Sequence, residues 1–279
     1  MEYVQPDTLE AAVSRLGRGG CTILSGGTDL AVVNRASGLK PECFVDICRI
    51  SQFSGMELGE EGLHIGPCTT IAELAASAEI PHCLSQGASA IGSPQIRNAA
   101  TVGGNICNAS PCGDTLSPMV ALSASFVLVS PRGSRAVDAE TFFLGPKKTV
   151  LADDELLTDI IIGREFLKGT SAFKMLGKRK GQVISQVNAA VWLLLEDGVV
   201  AKVQAAFGSV APVPLRARQT EAFLTGKELD AGTIHESLAY VKQDIRPISD
   251  IRASEAYRYR LAESIFHDVL KQAAGLACC

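Results

Sequence analysis

Two glycine pairs in separate polar segments constrain this chain more than any other feature. The first pair lies in Leu24-Ser25-Gly26-Gly27-Thr28-Asp29-Leu30, directly after the apolar run Cys21-Thr22-Ile23-Leu24. Paired glycines remove Cβ atoms, so backbone N–H groups can approach and point at an anion. A following helix N-terminus adds partial positive charge. The same residues also suit a plain tight turn before a helix, since short glycine motifs are weak evidence alone. The second pair lies in Asn98-Ala99-Ala100-Thr101-Val102-Gly103-Gly104-Asn105. It runs on through Cys107-Asn108-Ala109-Ser110-Pro111 to Gly113-Asp114. This stretch is too polar and glycine-rich for a core and too long for an ordinary connection, so it reads as a binding loop. Asp114 can serve either as a helix N-cap or as a direct ligand contact.

The surrounding pattern is α+β. Pro6 to Leu16 is expected to be a helix capped by Asp7, followed by strands at Cys21–Leu24 and Cys43–Ile47, with a turn at Lys40-Pro41. Ser54–Leu58 and Gly62–Ile65 read as a hairpin. Helices follow from a capping box at Thr70/Glu73, through Ser85–Ile91 and Pro94–Ala99, to Asp114–Leu122. A second hairpin turns at Pro131-Arg132-Gly133. After Asp153, the runs Leu156–Ile162, Ser171–Leu176, Val183–Leu195 and Val199–Phe207 read as antiparallel strands, the last two joined at Asp197-Gly198. Helices at Ala217–Leu224, Ala231–Val241 and Ala253–Ala273 close the chain. A boundary is placed near residues 166 to 170.

Charge and composition exclude several functions. A net charge of -4 over 279 residues does not suit a general nucleic-acid binder. No apolar run approaches the ~20 residues of a membrane span, and no secretory signal is seen. The expectation is a cytoplasmic protein whose nine cysteines are reduced thiols; their odd number and scattered spacing do not form a disulfide framework. Gly17-Arg18-Gly19-Gly20 fails the Rossmann fingerprint and Gly145-Pro146-Lys147-Lys148-Thr149 fails the Walker loop. Cys43 with Cys48 and Cys107 with Cys112 lack a close third cysteine for an iron–sulfur run. No metal site is expected.

Taken together, the two glycine segments resemble the FAD-binding subunit of molybdenum hydroxylases, the xanthine dehydrogenase and carbon monoxide dehydrogenase flavoprotein family. Ile91-Gly92-Ser93-Pro94-Gln95-Ile96-Arg97-Asn98, Ser171-Ala172-Phe173-Lys174, Gly208 to Arg216 and Ser254 to Arg260 extend the likeness over nearly the whole chain. The resemblance implies a two-subdomain FAD-binding fold of the PCMH or vanillyl-alcohol-oxidase-like type over residues 1–168, divided near 57 and 58. A carbon monoxide dehydrogenase flavoprotein-like domain with an antiparallel sheet and helices follows over 169–279. It implies noncovalent FAD. Leu24, Ser25, Gly26, Gly27, Thr28, Asp29 and Leu30 form the first flavin loop, with Gly26, Gly27 and Thr28 at the pyrophosphate. Thr101, Gly103, Gly104, Asn105, Asn108 and Ser110 form the second wall. Asp114 meets the ribose or adenine end, Ile91 and Leu157 pack on the isoalloxazine, and Lys174 sits at the polar flavin edge. The basic stretch Gly177-Lys178-Arg179-Lys180-Gly181 corresponds to a loop near the flavin, or is a solvated hairpin tip. The implied role is electron transfer within a complex. Molybdopterin would lie in a large partner subunit and two 2Fe–2S clusters in a small one, and electrons would pass through FAD to NAD+ or another acceptor. A stand-alone flavin oxidase or dehydrogenase and a flavin-free assembly subunit remain the alternatives.

Overall fold

The computed structural model describes residues 2–38, 41–179 and 181–276. Lys40 of the expected turn, Lys180 of the basic stretch, and Cys278 and Cys279 lie outside the described residues.

The chain opens with β1 (Glu2–Val4), α1 (Leu9–Leu16), β2 (Cys21–Leu24), α2 (Leu30–Ser37) and β3 (Cys43–Asp46). The three strands form a parallel sheet in the order β1-β3-β2. Helix α1 starts later than its apolar spacing suggests. Thr8, not Asp7, is the cap, its hydroxyl accepting from Ala11 N at 3.2 Å. One face of α1 and the sheet enclose a small core of Ala12, Leu16, Cys43, Val45, Ile47, Phe53 and Cys68.

Next come β4 (Met56–Leu58), β5 (Gly62–Ile65), α3 (Ile71–Ala76), α4 (His82–Ala90), α5 (Pro94–Ala99), α6 (Val102–Asn108) and α7 (Leu116–Ala121). They are followed by β6 (Ser125–Ser130), β7 (Gly133–Asp138), α8 (Ala139–Phe142), β8 (Phe143–Gly145), β9 (Lys148–Thr149) and β10 (Leu156–Gly163). The capping box forms as the sequence requires: Thr70 accepts from Glu73 N while Glu73 accepts from Thr70 N. Helices α3, α4, α6 and α7 share one core with a five-stranded sheet, order β4-β5-β10-β6-β7.

The last part contains β11 (Thr170–Leu176), β12 (Val187–Glu196), β13 (Val199–Gly208), β14 (Leu215–Arg216), α9 (Arg218–Leu224), α10 (Ala231–Asp244) and α11 (Glu255–Ala273). The strands form one antiparallel sheet in chain order. Asp197 and Gly198 both take positive φ, 51° and 82°, as a two-residue primed turn demands. This sheet is buried on both faces, which explains why β12 is apolar almost throughout. Phe173, Ala190 and Trp192 join the core beneath α4 and α7, while Ala189, Val191 and Leu193 face α11. Strand β12 begins four residues later than Val183, because Gln182 adopts a positive φ and Val183 and Ile184 turn toward a cleft. No described helix is long and apolar enough to cross a membrane.

Candidate functional site

Parallel β2 and β3 end side by side, with Leu24 opposite Asp46, and the first glycine segment leaves this edge. Gly26 meets the backbone of another element so closely that a Cβ there would lie 1.9 Å from the Ala99 carbonyl oxygen. Gly27 has a left-handed φ of 68°, which L side chains adopt only at a cost. The pair therefore does two jobs. Gly26 lets the loop touch the end of α5, and Gly27 makes the bend into α2.

The second glycine pair is not in a loop. Val102 to Asn108 is helix α6, capped by Thr101, whose hydroxyl accepts from Gly104 N at 3.2 Å. Glycine disfavours helix by about 1 kcal/mol per residue. Tertiary packing overrides that preference here. Gly103 is buried on Pro67, where a Cβ would lie 2.6 Å from the ring, and its N–H donates to Pro67 O at 2.9 Å. Gly104 is exposed and meets only Thr101 Oγ1. The two segments touch directly, with Ser25 Oγ 3.0 Å from Thr101 Oγ1.

Beside this junction a cleft of about 560 Å³ runs between the α6–α7 region and the far end of the antiparallel sheet. Asp29, Ile91, Asn105, Asn108, Ser110 and Asp114 line it, so six of the sequence-predicted residues share one wall. Asp114 is only 5% exposed. It does not cap α7, whose N-cap position is Thr115. Its Oδ1 instead accepts from Asn188 Nδ2 at 3.0 Å, and no donor among the described residues reaches Oδ2. Burial pushes its pKa up to about 7, against the smaller opposing effect of Asn188.

Leu24, Ser25, Gly26, Gly27, Thr28, Leu30, Thr101, Gly103 and Gly104 gather at or next to the junction of the two segments rather than in the cleft wall. Two expected positions lie elsewhere. Leu157 is 2% exposed and packed in the core between sheet and helices. Lys174 points to the opposite sheet face from Phe173, and its ammonium binds Asp268 of α11 at 2.6 Å. Strand alternation alone sends it there.

The opposite wall of the cleft was missed. It comprises Val183, Ile184, Ser209, Arg246, Asp250, Arg252 and Arg258, contributed by separate segments. Arg258 is 3% exposed and braces this wall, donating to Gln186 O, Ser209 O and Asp250 Oδ1. Lys147 was also missed. It lies in the stretch that fails the Walker pattern, yet its ammonium joins Asp29 of the first segment to Asn108 of α6. Its signal was the adjoining Gly145-Pro146 turn, which places a cation at a hairpin tip.

A family described as the FAD binding domain in molybdopterin dehydrogenase matches residues 1–164, and the CO dehydrogenase flavoprotein C-terminal domain matches residues 171–273. The chain belongs to the molybdopterin dehydrogenase FAD-binding family. It is 31% identical to the nicotinate dehydrogenase FAD-subunit of Eubacterium barkeri, over 98% of this chain and 97% of that one. The xanthine dehydrogenase FAD-binding subunit of Escherichia coli O157:H7 is 32% identical, over 91% of this chain and 89% of that protein. Among solved structures, carbon monoxide dehydrogenase from Hydrogenophaga pseudoflava superposes with a TM-score of 0.91 at 30% identity, covering 99% of this chain and 97% of that one. The α+β fold and an oxidoreductase role follow from this membership.

The residues present fit FAD. Gly27 leaves a backbone N–H with no Cβ in front of it, exposed Gly104 keeps the first turn of α6 free of a side chain, and α6 adds the partial charge of its N-terminus. Asp114 keeps one carboxylate oxygen free in the cleft for a hydroxyl donor. The described residues contain no group of three or more His, Cys, Asp or Glu side chains arranged to hold a metal.

Proposed function

We propose that this chain is the electron-transferring flavoprotein of a cytoplasmic multi-subunit molybdenum hydroxylase, with an FAD-binding domain over 1–168 and a second domain over 169–279. A large molybdopterin-binding subunit would oxidise the substrate, a small subunit would carry the electrons on 2Fe–2S clusters, and NAD+ or another acceptor would take them from here. Noncovalently bound FAD supplies the redox chemistry; the protein supplies position and electrostatics. Gly26, Gly27 and Thr28 hold the pyrophosphate with backbone and hydroxyl donors. Asn105, Asn108 and Ser110 form the second wall, Asp114 accepts from a ribose hydroxyl, and Ile91 gives an apolar contact for the ring.

The observation that carries this reading is the direct contact of the two glycine segments through Ser25 and Thr101 beside the cleft. It favours an extended dinucleotide over a mononucleotide, because the glycine junction and Asp114 lie apart, the junction beside the cleft and Asp114 in its wall. Purification with native neighbours, followed by an absorption spectrum and subunit analysis, tests it. The expected result is one FAD, released by acid, with iron–sulfur absorbance and a large subunit in the same complex. Recovery of FMN alone, or of a flavin-free complex, overturns it.

A further inference from the structure

We propose that Cys48 and Cys68 form a peroxide-sensitive thiol pair beneath the first glycine segment, whose oxidation to a disulfide loosens the bound flavin. The second half of this proposal rests on the FAD reading above. The first half stands on the placement of both sulfurs around Ser25 Oγ and on their unequal exposure.

The parallel pairing of β2 and β3 brings Ser25 and Cys48, which follow the two strands, to the same sheet edge. Ser25 Oγ lies 3.5 Å from Cys68 Sγ, and Cys48 Sγ donates to Ser25 Oγ at 3.8 Å. The two sulfurs thus sit around one hydroxyl oxygen, each within hydrogen-bonding reach of it. Asp46 fixes the turn by accepting from Cys48 N at 3.0 Å. The partners differ in access: Cys48 is exposed and Cys68 is only 6% exposed. That asymmetry suits an attacking thiol and a resolving thiol. The neighbouring Cys68 thiol, helped by Ser25, lowers the Cys48 pKa, while Cys48 and burial raise that of Cys68. Cys48 is therefore the group that ionises first.

The chemistry balances with hydrogen peroxide as oxidant. The Cys48 thiolate attacks one peroxide oxygen, the O–O bond breaks, and the departing hydroxide takes up a proton to become water. Cys48 is then a sulfenic acid. The Cys68 sulfur attacks that sulfur, the S–O bond breaks, and a second water leaves. Two thiols have lost two hydrogens and one peroxide has become two waters.

The bond draws the two sulfurs from their places around Ser25 Oγ to about 2.05 Å apart. Ser25 then loses both sulfur neighbours in their present positions. Cys68 follows Pro67, whose carbonyl accepts from Gly103 N at 2.9 Å and whose ring supports Gly103. A pull on Cys68 therefore reaches both glycine segments at once.

The test uses the flavin-loaded protein, treated with hydrogen peroxide, alkylated, digested and analysed by mass spectrometry, with released flavin measured in parallel. The expected result is a Cys48–Cys68 linked peptide whose appearance tracks flavin loss, both reversed by dithiothreitol. Cys48→Ser, a change at an exposed position, should keep its flavin through the same treatment. Absence of the linked peptide, or equal flavin loss from Cys48→Ser, overturns the proposal. A linked peptide with full flavin retention overturns the loosening. If the protein takes up no flavin at all, the FAD reading fails, and the linked peptide by itself decides the thiol pair.

Discussion

The first and second glycine pairs look alike in sequence and do different work in space. In the first, Gly26 is pressed against the Ala99 carbonyl and Gly27 supplies a left-handed bend. In the second, both glycines are helical; Gly103 is pressed against Pro67 and Gly104 faces outward. Each pair thus contains one residue that packs the scaffold and one that leaves the backbone open. The packing member comes first in both. Functional and structural requirements are separated by a single position, so a motif match cannot say which substitution removes cofactor and which removes fold.

The largest effect should come from the packing members. Gly26→Ala places a methyl 1.9 Å from Ala99 O, and Gly103→Ala places one 2.6 Å from the Pro67 ring. Backbone must move in the first case, and a rigid ring together with its carbonyl, 2.7 Å away, in the second. Overpacking of this kind destabilises by roughly 1–3 kcal/mol or more. At roughly 2–4 °C per kcal/mol, thermal melts of the flavin-free proteins should fall by several degrees, with Gly26→Ala the worse. Melts equal to wild type would erase the distinction drawn between the members of each pair.

The open members should lose flavin with the fold retained. Gly104→Val meets only the Thr101 hydroxyl, but that hydroxyl holds Ser25, so the junction opens where the pyrophosphate is placed. Gly27→Val adds strain of about 1–2 kcal/mol at its positive φ and covers the same backbone. Flavin content should drop to near zero in both, with circular dichroism close to wild type. Full FAD occupancy in both variants would move the pyrophosphate elsewhere.

Asp114 sharpens the comparison from the far end of the same wall. Its pKa in the folded chain is raised to about 7, chiefly by burial. The unfolded chain therefore ionises first as pH rises, and the folded state loses relative stability from about pH 4. The penalty is complete above about pH 7 and absent below the unfolded pKa. Asp114→Asn keeps an acceptor for Asn188 and removes the titration. Without flavin it should be more stable than wild type at pH 8 and no more stable at pH 3, by denaturant melts. A pH-independent difference would mean that Asp114 is not buried as an acid.

Much of the fold was legible because local and tertiary preferences agree. The Thr70/Glu73 cap, the Asp197-Gly198 turn and the apolar β12 each follow from residue chemistry that the packing reinforces. Helix α6 was not legible, because its two glycines argue against helix and only Pro67, Thr69 and Thr101 make it one. Asn105, Asn108, Ser110 and Asp114 of the cleft could be read together because they are near one another in sequence. Arg246, Arg252 and Arg258 could not, since tertiary structure alone brings their wall to face Asn105 and Asp114. For Lys174, the alternation of Phe173 and Lys174 along β11 already places its side chain on the face toward α11, where it meets Asp268.

Lys174 supplies the smallest expected effect and the control for all the others. It touches neither glycine segment and lies on the sheet face that packs against α11. Its partner Asp268 has its pKa lowered, first by the lysine hydrogen bond. A carboxylate stabilised in this way contributes stability above its unfolded pKa and loses it as pH falls through the lower folded value. Both side chains are partly solvated, at 46% and 33% exposure, so the pair is worth about 0–1 kcal/mol. Lys174→Met should therefore lower stability slightly at pH 7 and not at pH 2, while flavin content and reduction potential stay at wild-type values. Potentiometric titration at matched FAD content is decisive, because 30 mV corresponds to about 1.4 kcal/mol for a two-electron couple. A fall of that size would bring Lys174 back to the flavin edge, and would require β11 to present a different face when the cofactor is bound.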